Sequence, residues 1–233
     1  MGGDSSARVR LFLRTVKGGS RHQESAVSEH SRYESARRGA GALVSGALSA
    51  IVIMVALLAA MWGVEVIDYV FGGALDRQFG ILGGDPDGLI GIVFAPFLHD
   101  GFGHLMANSL PLLILGFLAA LRGVGKFLWA SVLIILIGGL GTWVTSPGVI
   151  TIGASGLVFG YFGFVVARGL FDRRALDIVI GIGVAIAYYS ILWGLLPNQY
   201  GISWQGHLFG LIGGVVAAWV LRRKRELPAA PTY

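Results

Sequence analysis

The chain contains no cysteine. Disulfides, zinc–thiolate centres and thiol nucleophiles are thereby excluded, and covalent catalysis would have to use Ser, Thr, Lys or a carboxylate. Charge is also scarce. Only 13% of the 233 residues are Asp, Glu, Lys or Arg, where a soluble domain carries about 25%. Apolar residues make up 55% and mean hydropathy is +0.72. Such a composition excludes an ordinary water-soluble globule and points to a chain whose solvent is lipid. The net charge of +5 could signal nucleic-acid binding. The positions of the charges speak for membrane orientation instead, and no nucleic-acid partner is expected.

What is abundant is glycine, 37 residues in all, set inside the apolar runs. Small residues there let helix backbones approach closely in a membrane. Six apolar runs occupy about 42–62, 104–121, 127–144, 153–170, 176–195 and 205–221. Each has the roughly 17–25 residues that cross a hydrocarbon core of about 30 Å. They predict an all-α polytopic membrane protein, a six-transmembrane-helix bundle over 42–221. Residues 1–41 read as a disordered basic cytoplasmic tail, and 222–233 as a basic cytoplasmic C-terminal tail. The first tail is too long and too mixed in charge for a signal peptide, so the first run is expected to stay uncleaved. Leu89–Leu98 is too short to span and contains Pro96. It is expected to be a re-entrant or interfacial piece of a long first loop, 63–103.

The positive-inside rule tests this topology. With both termini inside, seventeen of the eighteen Lys and Arg fall in inner segments, and Arg77 alone lies outside. The outer segments collect Glu65, Asp68, Asp76, Asp85, Asp87 and Asp100. The expected location is a bacterial plasma membrane.

One consequence of that topology organises the polar residues. The second, fourth and sixth helices all begin at the outer face, so residues early in those runs share one depth. The second run opens with His104 and Asn108, the fourth with Gly153-Ala154-Ser155-Gly156, and the sixth with Gly206-His207-Leu208-Phe209-Gly210. Polar groups inside a membrane are costly and tend to be functional. Ser155 sits at a helix N-terminus, where free N–H groups and the dipole favour an oxyanion. His207 can serve as its general base if a ring nitrogen reaches Oγ. His104 and Asn108, one turn apart, face the same way and can both donate to a developing oxyanion. No carboxylate occupies the first turns of the fourth or sixth run, so a Ser–His dyad is favoured over a triad that borrows Asp100. Phe159, one turn after Ser155, is placed to lie against the imidazole. Two small-residue pairs, Gly156/Gly160 and Gly210/Gly214, would let the fourth and sixth helices meet. His99 is read as either a structural hydrogen bond holding the first loop or a part of the site.

These residues together resemble the rhomboid family of intramembrane serine proteases. The likeness covers most of 89–221, and order, spacing and side of the membrane all agree. It rests on His99, His104-x-x-x-Asn108, Gly153-Ala154-Ser155-Gly156 and His207-x-x-Gly210-x-x-x-Gly214. The resemblance implies a six-helix core in the lipid bilayer with a water-filled cavity open to the outside. It implies cleavage of single-pass membrane-protein substrates in or near their transmembrane segments, with no cofactor. It assigns the dyad to Ser155 and His207, and oxyanion stabilisation to His104, Asn108 and the Ser155 N–H. It gives the first loop and Leu196–Gln205 a part in substrate access. Two departures stand out. Ile90 and Gly91 occupy places where many members have a Trp–Arg pair, and Phe159 stands where some have Tyr.

Three other readings compete. A catalytically silent rhomboid-like protein would bind transmembrane clients, but such proteins typically lack the serine or the histidine, and both are here. A small transporter would show internal repeats and midplane charges, and neither is found. A metal hydrolase could use His99, His104 and His207 as ligands, yet there is no HExxH and no acid on these helices to act as base.

Overall fold

The computed structural model describes residues 37, 41, 44–197 and 199–223. The two predicted tails therefore lie outside the described residues, except for Arg37, Gly41, Arg222 and Arg223. The described residues from Gly46 onward belong to one compact unit.

The first helix, α1, spans Val44–Val70. Its apolar run ends near 62, but the helix continues for two further turns. Glu65 and Asp68 lie in that extension and are buried, at 3% and 4% exposure. They are thus helix residues and not loop acids, which corrects the expected loop boundary. A hydropathy pattern stops at the first charges, whereas the i→i−4 backbone ladder does not. Asp68 then accepts the N–H of Leu75 at 2.7 Å, which ties the end of α1 to the next turn.

The first loop is far from irregular. It contains α2 (Ala74–Phe79), the two-residue strand β1 (Ile81–Leu82), a 3-10 turn (Pro86–Ile90), α3 (Gly91–Phe94) and a second 3-10 turn (Ala95–Phe97). Leu89–Leu98 thus becomes short helical pieces at the bundle's edge, as its length and Pro96 predict. β1 pairs antiparallel with β2 (Ile150–Thr151), with Ile81 opposite Thr151 and Leu82 opposite Ile150. Glycine presses this loop onto the bundle. A Cβ at Gly91 would lie 2.3 Å from the Gly80 carbonyl oxygen, and one at Gly83 would lie 1.9 Å from that of Ser146.

The remaining helices are α4 (Gly101–Ala120), α5 (Val124–Thr145), α6 (Ser155–Asp172), α7 (Ala175–Ala187) and α8 (Trp204–Val220). A 3-10 segment, Tyr189–Leu195, continues α7 after a 64° bend. α4 runs unbroken through Pro111. α6 is the central helix and packs against α4, α5, α7 and α8. Its residues Leu157–Val165 are buried without interruption, the pattern of a helix covered on every side. Leu105, Leu112, Leu115, Ile134 and Phe164 build the core around it.

The chain is a helical membrane bundle. Three helices, α1, α4 and α5, are long and apolar enough to cross a membrane, and a fourth span exists if α7 and Tyr189–Leu195 count as one. α8 is apolar but has only 17 residues. α6 has 18 and carries Arg168 and Asp172 near its end. By length and composition alone, three or four helices among the described residues qualify as spans, short of the expected six.

Candidate active site

Ser155 is the first residue of α6. The preceding turn is set by Gly153, whose φ of 117° is a left-handed value that side chains rarely adopt. A Cβ at Gly153 would lie 2.8 Å from Cε1 of His104, so the ring packs directly on this backbone. Two amides anchor the turn to the first loop. Gly153 N–H donates to the Ala95 carbonyl at 2.9 Å, and Ala154 N–H donates to Nε2 of His99 at 3.3 Å. Ser155 thereby starts a helix whose first N–H groups lack intrahelical partners and can meet an anion.

Ser203 starts α8. Its side chain accepts the Gly206 N–H at 3.2 Å, and its carbonyl accepts the His207 N–H at 3.1 Å. His207 is thus fixed in the first turn of α8, and its Nε2 lies 2.9 Å from Ser155 Oγ. The ring stacks on Phe159, with centroids 4.2 Å apart and planes 10° from parallel. Its Nδ1 lies 2.8 Å from the Gly194 carbonyl oxygen. That oxygen can only accept, so the neutral ring carries its proton on Nδ1 and turns the Nε2 lone pair toward the serine. The packing expected to hold the imidazole is therefore joined by a hydrogen bond that the sequence does not reveal, because a backbone carbonyl has no residue signature.

The glycine pairs explain how two helices can bring these side chains so close. A Cβ at Gly210 would lie 2.3 Å from the Gly156 carbonyl oxygen, and one at Gly214 would lie 1.9 Å from that of Gly160. α6 and α8 thus touch backbone to backbone, as small-residue pairs allow.

On α4, His104 Nδ1 accepts the Asp100 N–H at 3.3 Å. The neutral ring then carries its proton on Nε2, the nitrogen beside Gly153. Asn108 Nδ2 donates to the His104 carbonyl at 3.3 Å, and the side chain is buried. His99 is also buried, and its ring meets that of His104 edge to face at 5.1 Å. Burial, with the neighbouring His104 ring, pulls the pKa of His99 down to about 4 and favours its neutral form. Its contact with Ala154 N–H holds the turn before Ser155. Among the described residues no three His, Asp or Glu are grouped so as to hold a metal ion.

One space adjoins Ser155, and a second lies beside His104 and shares Thr151, Ile152 and Ser203 with the first. The first is a small apolar cavity of about 50 Å³, walled by Gly138, Gly139, Gly156, Thr142 and Ile92. An open cleft of about 620 Å³, lined by Asp100, His104, Thr151, Gly201 and Gln205, leads toward the same layer. The arrangement offers a hydroxyl against an imidazole, donors at a helix start, and access from one end of the bundle.

A family model described as "Rhomboid domain" matches residues 86–224. "Uncharacterized protein Rv1337" of Mycobacterium tuberculosis is 47% identical over 186 residues, covering 74% of this chain and 77% of that protein. "Putative rhomboid protease YdcA" of Bacillus subtilis is 31% identical over 136 residues, 55% of this chain and 65% of the relative. "Rhomboid protease GluP", also of Bacillus subtilis, is 32% identical over 126 residues, 53% of this chain and 24% of the relative. The matched segment takes in Ser155, His207, His104, Asn108 and the glycines that join α6 to α8, and on that match this integral membrane protein belongs to the rhomboid family.

Proposed function

We propose that the chain is an intramembrane serine endopeptidase that cleaves transmembrane segments of membrane-protein substrates by a Ser155–His207 dyad. The observation that supports it most is the 2.9 Å contact between Ser155 Oγ and His207 Nε2. At that distance the imidazole takes the hydroxyl proton as Oγ attacks a scissile carbonyl. His207 then returns the proton to the leaving amine, and water repeats the cycle on the acyl-enzyme. The oxyanion is met by the Ser155 N–H, the Nε2–H of His104 and the Asn108 amide. Asn108 would have to exchange its bond to the His104 carbonyl for one to the oxyanion, a tightening common once substrate is bound. The cavity of about 50 Å³ beside Ser155 suits a small substrate side chain.

In this reading the bundle crosses the lipid bilayer six times, α6 and α8 included, with both termini cytoplasmic in a bacterial plasma membrane. The short α8 and the charged end of α6 are tolerated because neighbouring helices cover them. Substrates are single-pass membrane proteins that reach the open cleft from the outer face. The test is a fluorophosphonate probe together with transmembrane reporters reconstituted in vesicles. Wild type should be labelled at Ser155 and should cut a reporter, while Ser155→Ala loses both by about 10⁴-fold or more and keeps its folded yield. Undiminished cutting by Ser155→Ala would sink the assignment.

A further inference from the structure

We propose that the Gly194 carbonyl is a positioning group for His207, so that the Tyr189–Leu195 segment sets the tautomer and reach of the imidazole. This rests on the reading of Ser155 and His207 as a nucleophile and its base. No carboxylate is hydrogen-bonded to His207 among the described residues, and the place beside Nδ1 is taken by the Gly194 oxygen at 2.8 Å. A carbonyl in that position holds the proton on Nδ1 and stabilises the imidazolium through its dipole, without a full negative charge. The other titratable ring that reaches His207 electrostatically is His104.

The residue identity at 194 follows from the same contact. A Cβ there would lie 2.8 Å from Nδ1, 3.1 Å from Cζ of Phe159 and 3.2 Å from Cε1 of His207. All three fall inside the roughly 3.5–4.0 Å of an unstrained carbon contact. Glycine lets the backbone lie flat against both the imidazole and the ring on which it stacks. The imidazole is therefore held from three sides: by Ser155 and Phe159 on α6, and by Gly194 on a separate element.

That third element differs in kind from the other two. It is a 3-10 segment turned 64° from α7, and 3-10 hydrogen bonds have poorer geometry than α-helical ones. Its side chains Leu192 and Trp193 are exposed, at 40% and 64%, toward what would be lipid. α6 and α8, by contrast, are joined backbone to backbone. A displacement of Tyr189–Leu195 thus reaches the ring directly, while the Ser155 helix stays in place.

The experiment measures fluorophosphonate labelling rates of the full chain in vesicles between pH 5 and pH 9. Gly194→Ala should slow labelling by about a hundredfold, since the ring is pushed off the serine and loses its acceptor. The sharper variant replaces Leu195 by its α-hydroxy acid, which turns the 194–195 amide into an ester and weakens the carbonyl with little change of shape. It should slow labelling by about threefold to tenfold and move the inflection of the pH–rate profile down by roughly half a unit. The same exchange at Leu192 weakens the Ile191 carbonyl instead, and Gly183→Ala adds a methyl where nothing lies within 4 Å. Both should match wild type. Overturning outcomes are a Leu195 ester that behaves like the Leu192 ester in rate and inflection, or a Gly194→Ala variant labelled at the wild-type rate. Wild type that takes no label would overturn this inference and the dyad together. A labelled wild type with unresponsive variants overturns the inference alone.

Discussion

The two ends of the bundle handle polar groups in opposite ways. Around Ser155 the polar side chains are histidines and a serine linked by hydrogen bonds: His207 to Ser155 and to the Gly194 carbonyl, His104 to Asp100 N–H, His99 to Ala154 N–H. At the opposite end the groups are ionised and paired. Arg122 bridges Asp172 and Asp177, and Arg168 pairs with Asp177 at 2.9 Å. Asp172 also accepts the Arg223 N–H at 2.9 Å, and Lys126 Nζ donates to the Leu221 carbonyl at 3.0 Å. The cluster draws together residues at the ends of α4, α5, α6, α7 and α8. The difference separates polar groups suited to chemistry from groups suited to holding the bundle together. A nucleophile and base need an uncharged, adaptable contact whose partners can change during a reaction. A buried clamp needs full charges with compensated partners, because an orphaned charge is so costly.

Substitutions at the two ends should therefore separate activity from stability. The largest effect is the contrast between Ser155→Ala and Asp177→Ala. The former removes activity with little change in thermal midpoint. The latter leaves Arg168, only 6% exposed, without its carboxylate and should cost about 3–5 kcal/mol. Its folded fraction should still take the fluorophosphonate at the wild-type rate. A thermal scan alongside labelling checks both, and a stable but unreactive Asp177→Ala would break the comparison.

A position shared by stability and chemistry sharpens it. Gly214→Ala places a methyl 1.9 Å from a backbone oxygen on α6, which cannot rotate away. The overpacking should cost about 1–3 kcal/mol. Because the shift occurs along the α6–α8 contact, it should also slow labelling by roughly tenfold through misplacement of His207. Thermal stability and labelling rate must fall together. A fall in stability alone would show that the first turns of α6 and α8 are set independently of the glycine contact.

The smallest effect concerns an acid at the Ser155 end that has no cationic partner among the described residues. Desolvation raises the Asp76 carboxyl to about 7, helped by Asp68, Glu65 and Asp100. With the folded value above the unfolded one, the folded state binds the proton more tightly. Stability from that proton is complete below about 4 and is lost as pH rises through about 7. Asp76→Asn should therefore lose less thermal midpoint than wild type between pH 4 and pH 8, by a few degrees. Parallel curves for the two proteins would show that the carboxyl is solvated in the folded state.

Residue identity and spacing alone determined much of this protein. Composition set the lipid environment, and the apolar runs located α4, α5, α6 and α8 within a few residues, while the run 176–195 took in both α7 and the bent 3-10 segment after it. The glycine pairs at 156/160 and 210/214 marked the α6–α8 contact. His104, Asn108, Ser155 and His207 could be picked out because polar side chains in apolar runs are few, and these lie near the starts of three of the runs.

Tertiary structure alone decided the remainder. α1 outlasts its apolar run because backbone hydrogen bonding continues past buried Glu65 and Asp68, where hydropathy stops. The first loop folds into short elements pressed flat by Gly83 and Gly91, contacts made to backbone atoms that no pattern of side chains encodes. The pairing of Arg122 and Arg168 with Asp172 and Asp177 joins charges up to 55 residues apart, which a linear count sees only as basic segments. The Gly194 oxygen beside His207 is the clearest case. Every residue carries a carbonyl, so only the path of the chain determines which one meets the imidazole.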